Sequence, residues 1–213
     1  IETITQYPIL RASRATQRRA FANGQFMMFR RDAYDAIGGH AAVRDELLED
    51  LALARLIAAA DRPAAVFLAD GMLSCRMYAS WSEFIRGWKR IYTELALRSP
   101  RRLGRCAARV LAFGTLLPIA ALANIALGTW FIASGSAWGI ASLFFGIAGL
   151  TPLMIVLSWV YRLGRAPLWA VPAYLLGAAL VAALLLRAAR DLRAGRPIEW
   201  GGRKYIRPIA RIE

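Results

Sequence analysis

The chain is poor in lysine, histidine, cysteine and acid. Of its 28 basic residues only Lys89 and Lys204 are lysines, His40 is the one histidine, and Cys75 and Cys106 are the only cysteines. Two cysteines far apart and without metal-type spacing argue against a disulfide framework or a zinc site, and suit a reducing compartment. The longest absence is of charge: no Asp, Glu, Lys or Arg occurs from Val110 through Tyr161. With 58% hydrophobic residues and a mean hydropathy of +0.40, the chain is more apolar than a typical soluble domain, at about 45–50%. It therefore divides into a water-facing part of ordinary mixed sequence and a membrane part. The sequence begins at Ile1 and shows no signal peptide, which reads as a piece of a longer protein.

A formal net charge of +14 invites a nucleic-acid partner. The arginines argue against it, because they flank the apolar segments, where they meet anionic lipid and hold loops on the cytoplasmic side. Against this basic background four of the 14 acids fall within six residues, Asp45-Glu46-Leu47-Leu48-Glu49-Asp50. Leu53, Leu56, Ile57 and Ala60 then recur at helical spacing. Glu49 and Asp50 thus stand at or just before a helix N-terminus, where the exposed N–H groups favour negative charge. They are either a solvated acidic cap or a carboxylate kept for general-base work.

Taken in order, residues 1–22 read as a basic connector. Asn23-Gly24 signals a turn. Gln25–Arg30 is short, apolar and aromatic, which predicts a buried strand. A short helix over Arg31–Ile37 should stop at Gly38-Gly39. The helix opened by Glu49-Asp50 should end at Asp61-Arg62-Pro63. Ala64–Ala69 and Met72–Met77 are two more strand candidates, the second delivering Arg76 to its end. From Ser80 to Leu97, Trp81, Phe84, Ile85, Trp88, Ile91, Tyr92 and Leu95 follow an amphipathic helical pattern, and Ser80 with Glu83 matches a capping box. Tryptophans beside cations suit a helix lying in the membrane interface, although a helix packed on a soluble core would look similar.

After a basic break at Arg98–Arg105, three apolar segments run over Val110–Ala133, Gly139–Tyr161 and Leu168–Leu186. Each is near the ~20 residues a membrane span needs. The loop Ser134–Trp138 is uncharged and reads as external, whereas Arg162 and Arg165 place the next loop inside. The basic tail, from Arg187 to Lys204, then also says inside, which three crossings do not allow. The third segment, with Pro172 and Gly177, is the candidate for a kinked or re-entrant piece.

These residues resemble the C-terminal half of a membrane-bound family 2 glycosyltransferase of the hopene-associated, carotenoid-type or ceramide-glucosyltransferase-like kind. The likeness rests on Asn23–Tyr34 with Ile37-Gly38-Gly39-His40, on Glu49-Asp50, on Arg76-Met77-Tyr78 with Ser80, Glu83 and Gly87-Trp88-Lys89-Arg90, and on Gly195–Trp200 with Gly202–Tyr205. The chain departs from the family's Q/R-x-x-R-W spacing, with Ser80 standing where a second arginine is expected. It contains neither the D-x-D metal motif nor the first βα unit of a GT-A domain.

The resemblance implies an α/β fold class. The acceptor half of a GT-A-like domain would occupy 1–78, an interfacial amphipathic helix and basic linker 79–104, about three transmembrane helices 105–188, and a basic tail 189–213. It implies inverting transfer of a sugar from a nucleotide-sugar donor to a lipid or other hydrophobic hydroxyl. Asp50 would be the base, Glu49 its helper and Arg76 a site for the departing diphosphate. Trp81, Trp88, Gln25 and His40 would lie toward the acceptor. A divalent cation, magnesium or manganese, and the donor would be held by residues outside this chain, leaving the fragment inactive alone. The site would face the cytoplasm from a multi-pass cell membrane protein. Two other readings stay open, a non-catalytic membrane-interaction protein or remnant, and a carboxylate metal site at 45–50.

Overall fold

The computed structural model describes residues 20–66 and 75–206, with the backbone alone at Arg203. Two compact units divide at Phe84/Ile85. In the first, α1 (Arg31–Ala36) carries Asp32 in its first turn. The Arg30 guanidinium grips that carboxylate at 3.0 and 3.1 Å and holds its carboxyl below the usual aspartate range. Gly38, at φ 76°, ends the helix and opens a 3-10 turn over Gly39–Val43. Next comes α2 (Glu49–Ala59), which buries Leu51, Leu53, Ala54 and Ile57. Val43 and Leu47 are also buried, and Leu47 and Leu53 are almost wholly withdrawn from solvent.

The strand expected over Gln25–Arg30 is not formed. The Gln25 N–H turns back to Asn23 Oδ1 at 3.1 Å and the Phe26 N–H bonds the Asn23 carbonyl. Phe26 and Met28 are 63% and 82% exposed. A strand needs a ladder partner, and among the described residues of this unit there is none, so the backbone satisfies itself locally. Residues 64–66 and 75–77 are likewise without strand, while the rest of those two expected strands, 67–74, lies outside the described residues. The described chain is mostly helical, and the α/β layering expected for 1–78 is not among its elements.

Helix α3 (Trp81–Leu95) begins in the first unit and continues into the second. Its start is close to the expected capping box: Ser80 Oγ accepts from the Glu83 N–H, and Glu83 Oε2 accepts from the Ala79 N–H at 2.9 Å. The basic stretch expected to break the chain is helical instead. Ser99 Oγ accepts from the Arg102 N–H, and Pro100, which has no N–H to lose, starts α4 (Pro100–Leu111). The helix runs on through a π turn at Ala112–Leu116 into α5 (Leu117–Ala133). The cause of the π turn is Pro118, which cannot donate to the Gly114 carbonyl and crowds it.

Helix α6 (Trp138–Leu163) follows the uncharged loop. The third apolar segment opens with a 3-10 turn, Leu168–Ala173, containing Pro172, and continues as α7 (Tyr174–Arg193). Its irregularity therefore lies at Pro172; Gly177 sits inside a regular helix. The spans Pro100–Ala133, Trp138–Leu163 and Leu168–Arg193 are each long and apolar enough to cross a membrane. An antiparallel hairpin, β1 (Ile198–Trp200) with β2 (Arg203–Tyr205), closes the described chain. Gly201 and Gly202, at φ 56° and 74°, make its two-residue turn.

Packing in the second unit is pairwise. On α6, Gly139 and Gly146 lie against α5, as Gly128 of α5 does against α6. A Cβ on Gly128 would stand 2.6 Å from Leu143 N, and one on Gly146 would stand 2.8 Å from the Ala121 carbonyl. Glycine lets the two backbones meet. By contrast α4 and α7 meet through side chains: Leu103, Cys106 and Ala107 bury against Leu185, Ala188, Ala189 and Leu192, with Ala96 in the same cluster.

Candidate functional site

The first unit centres on Asp50, in the first turn of α2. Buried Leu47 and Leu51 on either side fix the rotation of that turn, which leaves Asp50 half-buried and Glu49 exposed. Asp50 Oδ2 accepts from the Gly24 N–H at 2.8 Å, across 26 residues of chain, and Oδ1 accepts from the Leu51 N–H at 2.7 Å. The fit is close: a Cβ at Gly24 would lie 3.2 Å from Oδ2, so a larger residue there would push the carboxylate by a few tenths of an ångström. The Asn23-Gly24 turn is thus docked on the carboxylate.

The next residue extends the cluster, for Gln25 Nε2 donates to Met77 Sδ at 2.8 Å. Gln25 therefore links the Asp50 turn to the segment that carries Arg76, which is itself exposed. Trp81 is exposed and stacks on Phe84 at 5.0 Å, and Phe84 meets Tyr78 edge-on. His40 is held by Tyr34: its Nδ1 lies 2.7 Å from the Tyr34 hydroxyl, which also accepts from the His40 backbone N–H. The Tyr34 ring fits there because Gly39 has no side chain to meet it. Asp45 and Glu46 are exposed. Among the described residues no three His, Cys, Asp or Glu side chains gather as a metal site would require.

In the second unit Trp88 tilts against Tyr92 at 5.4 Å. Lys89 Nζ meets Asp191 Oδ2 at 2.7 Å, and Arg196 Nη1 holds the other oxygen of Asp191 at 3.0 Å. The Arg90 guanidinium lies 3.7 Å over the Trp200 ring, a cation–π contact with the tail hairpin. Sequence reasoning found neither contact. One signal for the first was available, since Asp191 is the single acid among Arg187, Arg190, Arg193 and Arg196.

After a carboxylate held by two backbone donors come three helices long and apolar enough to cross a bilayer, as in a membrane protein. The model of glycosyl transferase family 21 matches residues 3–205, and the chain belongs to that family. Family 21 is ceramide-glucosyltransferase-like, one of the three likenesses drawn from the motifs. No curated protein and no solved structure gives a significant match.

Proposed function

We propose that this chain supplies the acceptor side of an inverting glycosyltransferase that moves a sugar from a nucleotide-sugar donor to a hydroxyl on a membrane lipid. The observation that carries the reading is the pair of backbone N–H donors on Asp50. They set the direction of the carboxylate, and each oxygen keeps a further lone pair for a substrate proton. The acceptor O–H gives its proton to Asp50 as its oxygen bonds the anomeric carbon and the bond to the nucleoside diphosphate breaks. Such a base contributes about 10²–10⁴-fold.

Arg76 stabilises the departing diphosphate, its guanidinium fork matching phosphate oxygens. Gln25, held by Met77, and exposed Trp81 face the acceptor. A hydroxyl on a long-chain lipid stays at headgroup level, so the enzyme avoids about 0.8 kcal/mol per CH₂ of extraction. The described residues do not form a metal centre, and no step here runs through a cation. The donor and its divalent ion are assigned to residues outside this sequence.

The test uses the full-length protein in membranes with a panel of radiolabelled nucleotide sugars. One donor should put label into the lipid extract, and Asp50→Asn, expressed equally, should remove it. Equal labelling in both would overturn the assignment of Asp50.

A further inference from the structure

The contacts of the second unit bear on how many times the chain crosses its membrane. Lys89 precedes the first apolar span and Asp191 ends the third. Their side chains meet at 2.7 Å. Residues on opposite faces of a hydrocarbon layer about 30 Å thick cannot form an ion pair. The two ends of the membrane region therefore share one face, and the number of crossings is even.

The packing orders the helices along the membrane normal. Gly128 against Leu143, Gly139 against Ile132 and Gly146 against Ile125 place α6 antiparallel to α5, returning the chain to the level from which α5 departs. There the Tyr161 hydroxyl reaches the Ala170 carbonyl, and Tyr174 and Ala178 lie against Gly114 in the π turn. From Thr115 to Ala133 the helix rises about 28 Å at 1.5 Å per residue, matching the hydrocarbon thickness. Below Gly114, α7 runs antiparallel along α4 through Leu185, Ala188, Ala189 and Leu192, away from the bilayer centre that α5 and α6 occupy.

We propose that only α5 and α6 cross, and that α4 and α7 form a platform that starts at the membrane interface and leads out from it on the face that holds α3. Charge supports it. Arg101, Arg105 and Arg109 of α4 and Arg187, Arg190 and Arg193 of α7 are exposed, as are Arg162 and Arg165 between α6 and α7. The loop at the other end, 134–137, has none. With two crossings every cation among the described residues lies on one side, where the arginines meet anionic headgroups. Trp169 and Leu176, 83% and 77% exposed, supply apolar surface to the acyl boundary. The proposal stands whether or not Asp50 is a base.

The experiment is sidedness in sealed vesicles of the full-length protein, in a background with Cys75→Ser and Cys106→Ala. Single cysteines at Arg86→Cys, Ala137→Cys and Ala194→Cys are labelled with a membrane-impermeant maleimide. Arg86→Cys and Ala194→Cys should react from the same side and Ala137→Cys from the other. Labelling of Ala194→Cys together with Ala137→Cys overturns the proposal. Should the replacements disturb folding, trypsin on vesicles of the unaltered protein reads the same parity. Cuts after Arg98 and Lys204 should appear together from one side, and cuts from opposite sides contradict it.

Discussion

Between α5 and α6 the chain removes side chains so that backbones touch, whereas between α4 and α7 it supplies leucine and alanine and rims them with arginine and one ion pair. Both pairs are antiparallel, and the proposed two crossings give them different solvents. In hydrocarbon, apolar side chains gain nothing by leaving lipid for each other, so close backbone packing must hold the helices together. Where water is present on one flank, burying leucine is itself favourable and the opposite flank can carry charge. If only α5 and α6 cross, the difference teaches that a helix as apolar as α7 can stand outside the hydrocarbon, and that its partner identifies the environment better than its hydropathy.

Substitutions can break this contrast. The largest effect is expected from Leu103→Ala, which empties a wholly buried position between α4 and α7. It should cost about 3–4 kcal/mol, measured by thermal unfolding in a lipid-like detergent. Gly128→Ala strikes the other pair. Its methyl would meet the Leu143 backbone, and the separation it forces should cost about 2–3 kcal/mol. Asp191→Asn leaves Lys89 and Arg196 without their shared carboxylate and should cost about 1–2 kcal/mol, with the loss visible as earlier proteolysis of the tail. The smallest effect sharpens the comparison, since Gly104 in α4 has open space around its Cα. Gly104→Ala should raise stability by about 0.5–1 kcal/mol. A loss there would show that α4 packs by backbone contact as α5 does.

Much of this was readable in the sequence where one residue type decides the outcome. Helical periodicity gave α2 and α3 to within two residues, Ser80 with Glu83 marked the start of α3, and the charge-free run marked α5 and α6. Gln25–Arg30 misled because an apolar run predicts burial only when a partner strand exists, and the turn at Asn23-Gly24 took its backbone bonds instead. The break expected at Arg98–Arg105 failed because Ser99-Pro100 opens a helix as well as it ends one. Asp50 was legible as a helix-start acid, but the Gly24 N–H that holds it comes from 26 residues away, and no local pattern encodes that. The tail hairpin had a usable signal in Trp200-Gly201-Gly202-Arg203, whereas the pairing of Arg90 with Trp200 depends on tertiary placement alone.

The central claim is that Asp50, and not its exposed neighbour, takes the acceptor proton. It is tested most directly by measuring sugar transfer to lipid for Asp50→Asn and Glu49→Gln side by side, in membranes holding equal amounts of each full-length variant. The account predicts that Asp50→Asn loses about 10²-fold or more, while Glu49→Gln stays within a few-fold of the unaltered protein. Transfer retained by Asp50→Asn and lost in Glu49→Gln would contradict it.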